Sequence, residues 1–235
     1  MQININSLLG FSLFARDGEV GKIEEIYFDD RNWAIRYLFV KTGDWLSGRK
    51  VLISPLAFNR SQWNGRKFPV NLTKDQILNS PEMETDRPLS LKHTKSLNEY
   101  YLWQPFIDNG FYAPVHCDQS DLTEKPPTDC PSAENAHLRS TRETKGYRIY
   151  ATDGEIGYVS GFIVEDESWK IEYLVVVSKS IFGDHKILIS VQDIRKIKWT
   201  ESKIYLDISV KAVEQCRTFD GSPVIDPTMV CSVFI

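Results

Sequence analysis

Apolar positions along this chain fall mostly into short alternating or doubled runs, which predict β-strands and few long helices. A polar Asp-Gly turn at Asp17-Gly18, and again at Asp153-Gly154, separates two such runs. Glycine tolerates the positive φ of a tight hairpin, so each turn predicts one. The run after each turn, 19–28 or 155–164, breaks the two-residue period. Ile23 and Ile26 are three apart, as are Val159 and Phe162. A regular strand would place such pairs on opposite faces, so the spacing predicts a β-bulge or a sharp bend. The next run, 33–42 or 169–178, alternates at first. It then becomes apolar on both faces, at Leu38-Phe39-Val40 and over 174–177. A strand buried on both sides implies a barrel wall with something packed outside it. Shorter β-like runs lie at 50–54, 67–70, 186–190 and 203–206. Thr73 with Gln76 is a capping-box pattern for a short helix that Pro81 ends, and Ser209 opens its counterpart.

These parallels are an internal repeat. Shifted by 136 residues, 10–80 aligns on 146–216 without a gap, with 18 identities in 71 positions. They include Gly10/Gly146, Asp17/Asp153, Gly21/Gly157, Asp30/Asp166, Trp33/Trp169, Tyr37/Tyr173 and Trp63/Trp199. Two copies of one small fold are expected. The division is 1–81 for the first copy, 82–145 for a linker, 146–217 for the second copy and 218–235 for a tail. Within the linker, residues 100–112 (YYLWQPFIDNGFY) are aromatic, and 113–143 read as polar, proline-punctuated irregular chain.

Composition narrows the class. The chain has 235 residues, a net charge of −4, 42% hydrophobic and 12% aromatic content. That range fits a folded soluble protein and argues against a basic nucleic-acid binder. No apolar run has the roughly 20 residues of a membrane-crossing helix, and the first ten residues do not read as a signal peptide. Four unevenly spaced cysteines (Cys117, Cys130, Cys216, Cys231) suggest reduced thiols in a cytoplasmic protein.

The shared pattern G-x-x-[LI]-[FY]-A-x-D-G-E-[VI]-G, then an acidic turn, W-x-I-x-Y-L-x-V and K-x-L-I-S, occurs in both copies. It resembles the PRC-barrel family, named for the cytoplasmic domain of the photosynthetic reaction centre H subunit. The same family includes the C-terminal domain of a bacterial ribosome maturation factor. The stretch YYLWQPF is similar to the aromatic linker of soluble two-barrel members. The resemblance implies a mainly β chain of two small barrels, each with a short C-terminal helix. It also implies an interaction and assembly role, with no catalytic motif to carry over.

No phosphate-binding loop, dinucleotide fingerprint, nucleophile elbow or zinc-protease helix occurs in the sequence. The acidic turns Asp29-Asp30 and Glu165-Asp166-Glu167 read as solvated hairpin turns. His116, Cys117, Cys130 and His137 are the nearest approach to a metal set. Their spacing is not that of a zinc finger, and they read as ordinary loop residues. Trp45-Leu46 and their counterparts Ile181-Phe182 form apolar loop tips, which either mark a contact site or pack internally. Tyr101, Trp103 and Phe106 are read similarly, with docking between the barrels as an extra core as the competing role. The expectation is a non-enzymatic protein-interaction or assembly module without a cofactor. It would bind protein partners, dimerise through a strand edge or the apolar loops, and bind no nucleic acid. A ribosome- or RNA-maturation-linked adaptor, a reaction-centre-associated electron-transfer accessory protein and a small-ligand-binding barrel remain as alternatives.

Overall fold

A computed structural model describes residues 2–43, 49–63, 67–81, 96–97, 99–101, 137–180, 183–221 and 230–231. It is mainly β, in two sheets. The first copy contributes β1 (Gln2–Asn4), β2 (Ser12–Ala15), β3 (Gly18–Asp29), β4 (Ile35–Thr42), β5 (Lys50–Ile53) and β6 (Lys67–Pro69). The second contributes β7 (Leu138–Ser140), β8 (Arg148–Tyr150), β9 (Glu155–Glu165), β10 (Ile171–Ser180), β11 (Gly183–Ser190), β12 (Ile194–Lys198) and β13 (Lys203–Leu206). The tail adds β14 (Val230–Cys231).

The expected bends are present. The β3–β4 register shifts between Ile23 and Glu25, which turns both Ile23 and Ile26 into the core. The β9–β10 pairing shifts at the equivalent place and buries both Val159 and Phe162. Gly21 and Gly157 are repeated for a steric reason: a Cβ at either would lie about 2 Å from a carbonyl oxygen of the facing strand. Both copies carry the predicted cap. Thr73 and Gln76 close a capping box on the helix Lys74–Leu78, and Ser209 caps Val210–Glu214. The turn acids add to this. Asp17 accepts from the backbone N–H of Lys74, and Asp153 accepts from that of Val210. Each hairpin is thereby tied to the start of its helix.

Neither sheet closes into a hydrogen-bonded barrel among the described residues. The paths run β5-β4-β3-β2-β6 and β12-β13-β8-β9-β10-β11-β14. The copies also extend further toward the N-terminus than the identities suggest. Residues 138–144, read from sequence as the end of the linker, form β7 and the helix Thr141–Thr144. They are the counterparts of β1 and the helix Ile5–Leu8.

These first strands are exchanged. β1 pairs with β9 of the second copy (Ile3 opposite Val164), whereas β7 pairs with β3 of the first (Arg139 opposite Phe28). The two registers are related by the same 136-residue shift. Between the copies Ala34 bridges Lys170, Ile35 N–H donates to Trp169 O, and Ile171 N–H donates to Trp33 O. The chain is therefore an internal pseudo-dimer about an axis near Ala34. One apolar cluster runs through both copies and joins Phe28 to Phe162 (ring centroids 5.9 Å apart) and Trp169 to Phe58 and Phe68 of the first copy.

The outer faces of the doubly apolar strands are covered, as expected. Leu97, with Tyr101, packs on Tyr37, Phe39 and Leu52. Phe219 packs on the equivalent face at Val175 and Leu188. Tyr101 is thus in a core, packed both on the outer face of the first sheet and against the main apolar cluster.

Deleting residues 1–9 is expected to injure the second copy more than the first, because β1 completes the second sheet. Amide hydrogen exchange at Ile163, Val164 and Glu165 should accelerate more than at Tyr27, Phe28 and Asp29. Equal or reversed acceleration would contradict the exchanged-strand reading.

Candidate functional site

The two ends of the junction, on either side of the pseudo-axis, carry different chemistry. At one end Arg60 reaches across to the second copy, 2.7 Å from Glu167 and 3.2 Å from Asp166. At the other end Asp30 takes the place of Asp166. It is held by His137 (Nδ1 to Oδ1, 2.7 Å) and by Arg139 (Nε to Oδ2, 2.8 Å). The Arg139 guanidinium also stacks over the Trp199 ring at 4.4 Å, which fixes its plane. Here β7 and the His137 that precedes it, delivered by the strand exchange, bring both side chains onto the β3–β4 turn.

This second end opens into a cleft of about 380 Å³ lined by Trp33, Arg31, Arg139, Arg195, Lys196 and Trp199. A neighbouring cleft of about 560 Å³ shares Trp33 and is lined by Glu165, Lys170, Glu172 and Tyr173. Trp33 and Trp169 both adopt positive φ (60° and 53°). That conformation is strained for a bulky residue and is held by the hydrogen bonds that cross the axis.

Beneath Arg31 lies a buried pair. Asp29 accepts from Arg31 (3.0 Å) and from Arg36 (2.9 Å), and Arg36 is only 6% exposed. Burial pushes the Asp29 carboxyl up, but the hydrogen bonds from Arg31 and Arg36 outweigh it and hold it below the usual aspartate value. The reading of the acidic turns as solvated is thus corrected. Asp29, Asp30 and Asp166 are buried or nearly so and bonded to arginine, because the turns lie at the junction of the copies.

Among the sequence candidates, Trp45, Leu46, Ile181, Phe182, Trp103 and Phe106 lie outside the described residues, as do His116, Cys117 and Cys130. His137 is tied to Asp30, and no group of three metal-ligating side chains occurs among the described residues. Cys216 is disulfide-bonded, which corrects the expectation of reduced thiols and removes the cysteine argument for a cytoplasmic location. No helix among the described residues is long and apolar enough to cross a membrane. Sequence reasoning missed Arg31, Arg60, Arg139 and Lys196 as junction residues. Their signal was that Asp30 and Asp166 are identical in the repeat while the cations around them differ.

Comparison with known proteins finds a PRC-barrel domain at residues 1–77. No curated protein matches the chain.

Asp29→Asn is expected to destabilise the protein by about 3 kcal/mol at neutral pH, because it strands a buried arginine. A lowered native pKa contributes stability that is present above the unfolded value near 4 and is lost as pH falls below it. The deficit of the variant should therefore shrink in denaturant titrations carried below about pH 4. A deficit independent of pH would contradict the ion-pair origin.

Proposed function

We propose that this chain is a non-enzymatic protein-interaction module in which two PRC-like domains are fused as an internal pseudo-dimer. The PRC-barrel domain at 1–77 suggests an interaction or assembly role in general terms. The second copy is assigned to the same fold because its strands, bulge, caps and glycine contact repeat those of the first. The observation that carries the reading is the reciprocal exchange of β1 and β7.

That exchange gives each copy the partner it needs within one chain. The expected homodimer through a strand edge is then replaced by an intramolecular one, and surfaces away from the axis are left for other proteins. The ion pairs at the junction have a structural use in this reading. Asp166 with Arg60, and Asp30 with Arg139, hold the two copies in register.

Analytical ultracentrifugation of the full chain is expected to give the monomer mass of 27.1 kDa. A tagged chain should retain a specific protein from native lysate. A concentration-dependent homodimer would overturn the fusion argument, and a monomer that retains nothing would overturn the interaction role.

A further inference from the structure

We infer that the cleft between Arg31 and Lys196 binds an acidic segment of a partner protein. The inference rests on the interaction role proposed above and locates it.

The repeat supplies an internal control. At the closed end, Arg60 meets Glu167 and Asp166. Shifted by 136 residues, those three positions become Lys196, Arg31 and Asp30. The glutamate that closes one end is an arginine at the other, so two cations face one another where an ion pair stood. Ile3 likewise becomes Arg139, and Asn59 becomes Arg195. Arg31, Arg139, Arg195 and Lys196 thus line the cleft against the single carboxylate Asp30. Three further acids lie nearby, among them Asp193, which precedes β12 and whose backbone carbonyl accepts from Asp207 N–H. Asp29 is shared between Arg31 and Arg36, and the exposed Asp207 stands 3.7 Å from Arg195. With Arg36, Asp29, Asp193 and Asp207 counted, five cations still face four carboxylates. In a chain of net charge −4, this is a local excess of the opposite sign.

The form of the cleft selects the ligand. Its cations stand at the surface, with the Arg31 and Arg195 side chains 35% and 61% exposed. A single exposed ion pair contributes only about 0–1 kcal/mol, so one small anion gains little there. A peptide with several carboxylates sums such contacts and brings apolar atoms onto Trp33 and Trp199. The volume admits a few side chains and not a domain. Among the described residues β12 is the last strand of its sheet path, and its residues 194–197 line the cleft. The Arg139 guanidinium, fixed over Trp199, presents a planar fork suited to carboxylate.

The test titrates the full chain by calorimetry with a ten-residue polyglutamate peptide. Inorganic phosphate and a ten-nucleotide uridine RNA are run as parallel arms. Saturable peptide binding that weakens with salt is expected. The exposed double variant Arg195→Glu/Lys196→Glu, with its fold checked by circular dichroism and melting, should lose about tenfold or more in affinity. Lys211→Gln, on the helix Val210–Glu214 and outside the cleft lining, should retain it. Absence of saturable peptide binding, unchanged affinity in the double variant, or tighter binding of phosphate or RNA would each overturn the proposal. A double variant that still retains the same protein from lysate as the unmodified chain would also overturn it, while leaving the interaction role standing. Failure of both proteins to retain any partner would remove that role itself.

Discussion

Each sheet of this protein lacks a strand that only the other copy supplies, and most other features follow from that constraint. β1 lies on β9 and β7 lies on β3, so neither copy has a finished sheet alone. The apolar interior is correspondingly one cluster, from Leu13 and Phe68 in the first copy to Phe162 and Ile204 in the second. The two tryptophans at positive φ belong to the same arrangement. A residue strained in this way costs on the order of 1–3 kcal/mol and persists where its surroundings over-determine it. Here the carbonyl of each tryptophan accepts a backbone hydrogen bond from the other copy, and the Trp169 ring fills the first copy's aromatic pocket.

A covalent fusion also changes the physics of the pairing. Two separate chains would associate according to concentration. Joined by one polypeptide, the copies meet at a fixed effective concentration, and their association becomes part of folding. The ion pairs of Arg60 with Asp166 and Glu167 cross between the copies and belong to that setting, since their partners never separate.

Much of this was legible in the chain. The repeat, the bulges, the helix caps and the doubly buried strands follow from spacing and from residue types whose physics is local. The exchange was not legible, because β1 and β7 share no identity. Ile3 packs into the apolar core, while Arg139, at the same place in the repeat, meets Asp30 and Trp199. Different surroundings selected different residues and erased the pattern. What persisted was the cap: Asn4 and Ser140 each accept from the backbone N–H two residues on, and both are residue types favoured at helix starts. The acidic turns misled for a related reason. An Asp-Asp or Glu-Asp-Glu turn looks solvated when only its own strand is considered, and its burial depends on a surface more than a hundred residues away. Arg195-Lys196-Ile197-Lys198 is a basic run in the sequence, yet its position beside Arg31 and Arg139 follows only from the three-dimensional pairing.

A true two-fold dimer must carry the same chemistry on both sides of its axis, at both ends of the junction, because each substitution appears twice. Fusion removes that condition. Once the copies are separate stretches of one gene product, Glu167 at one end and Arg31 at the other can diverge while the backbone register is kept. The structure shows both halves of this: Ala34 and Lys170 still bridge on the axis, with matching hydrogen bonds on either side, while the flanking charges have opposite character. One end is closed by Arg60 and its two carboxylates. The other keeps its cations apart, with a tryptophan from each copy beside them. A symmetric dimer with the second arrangement at both ends would offer two cationic clefts, and one with the first would offer none. Among the described residues the fused chain offers one at this junction, which fixes the stoichiometry of any ligand at that cleft to a single segment per chain.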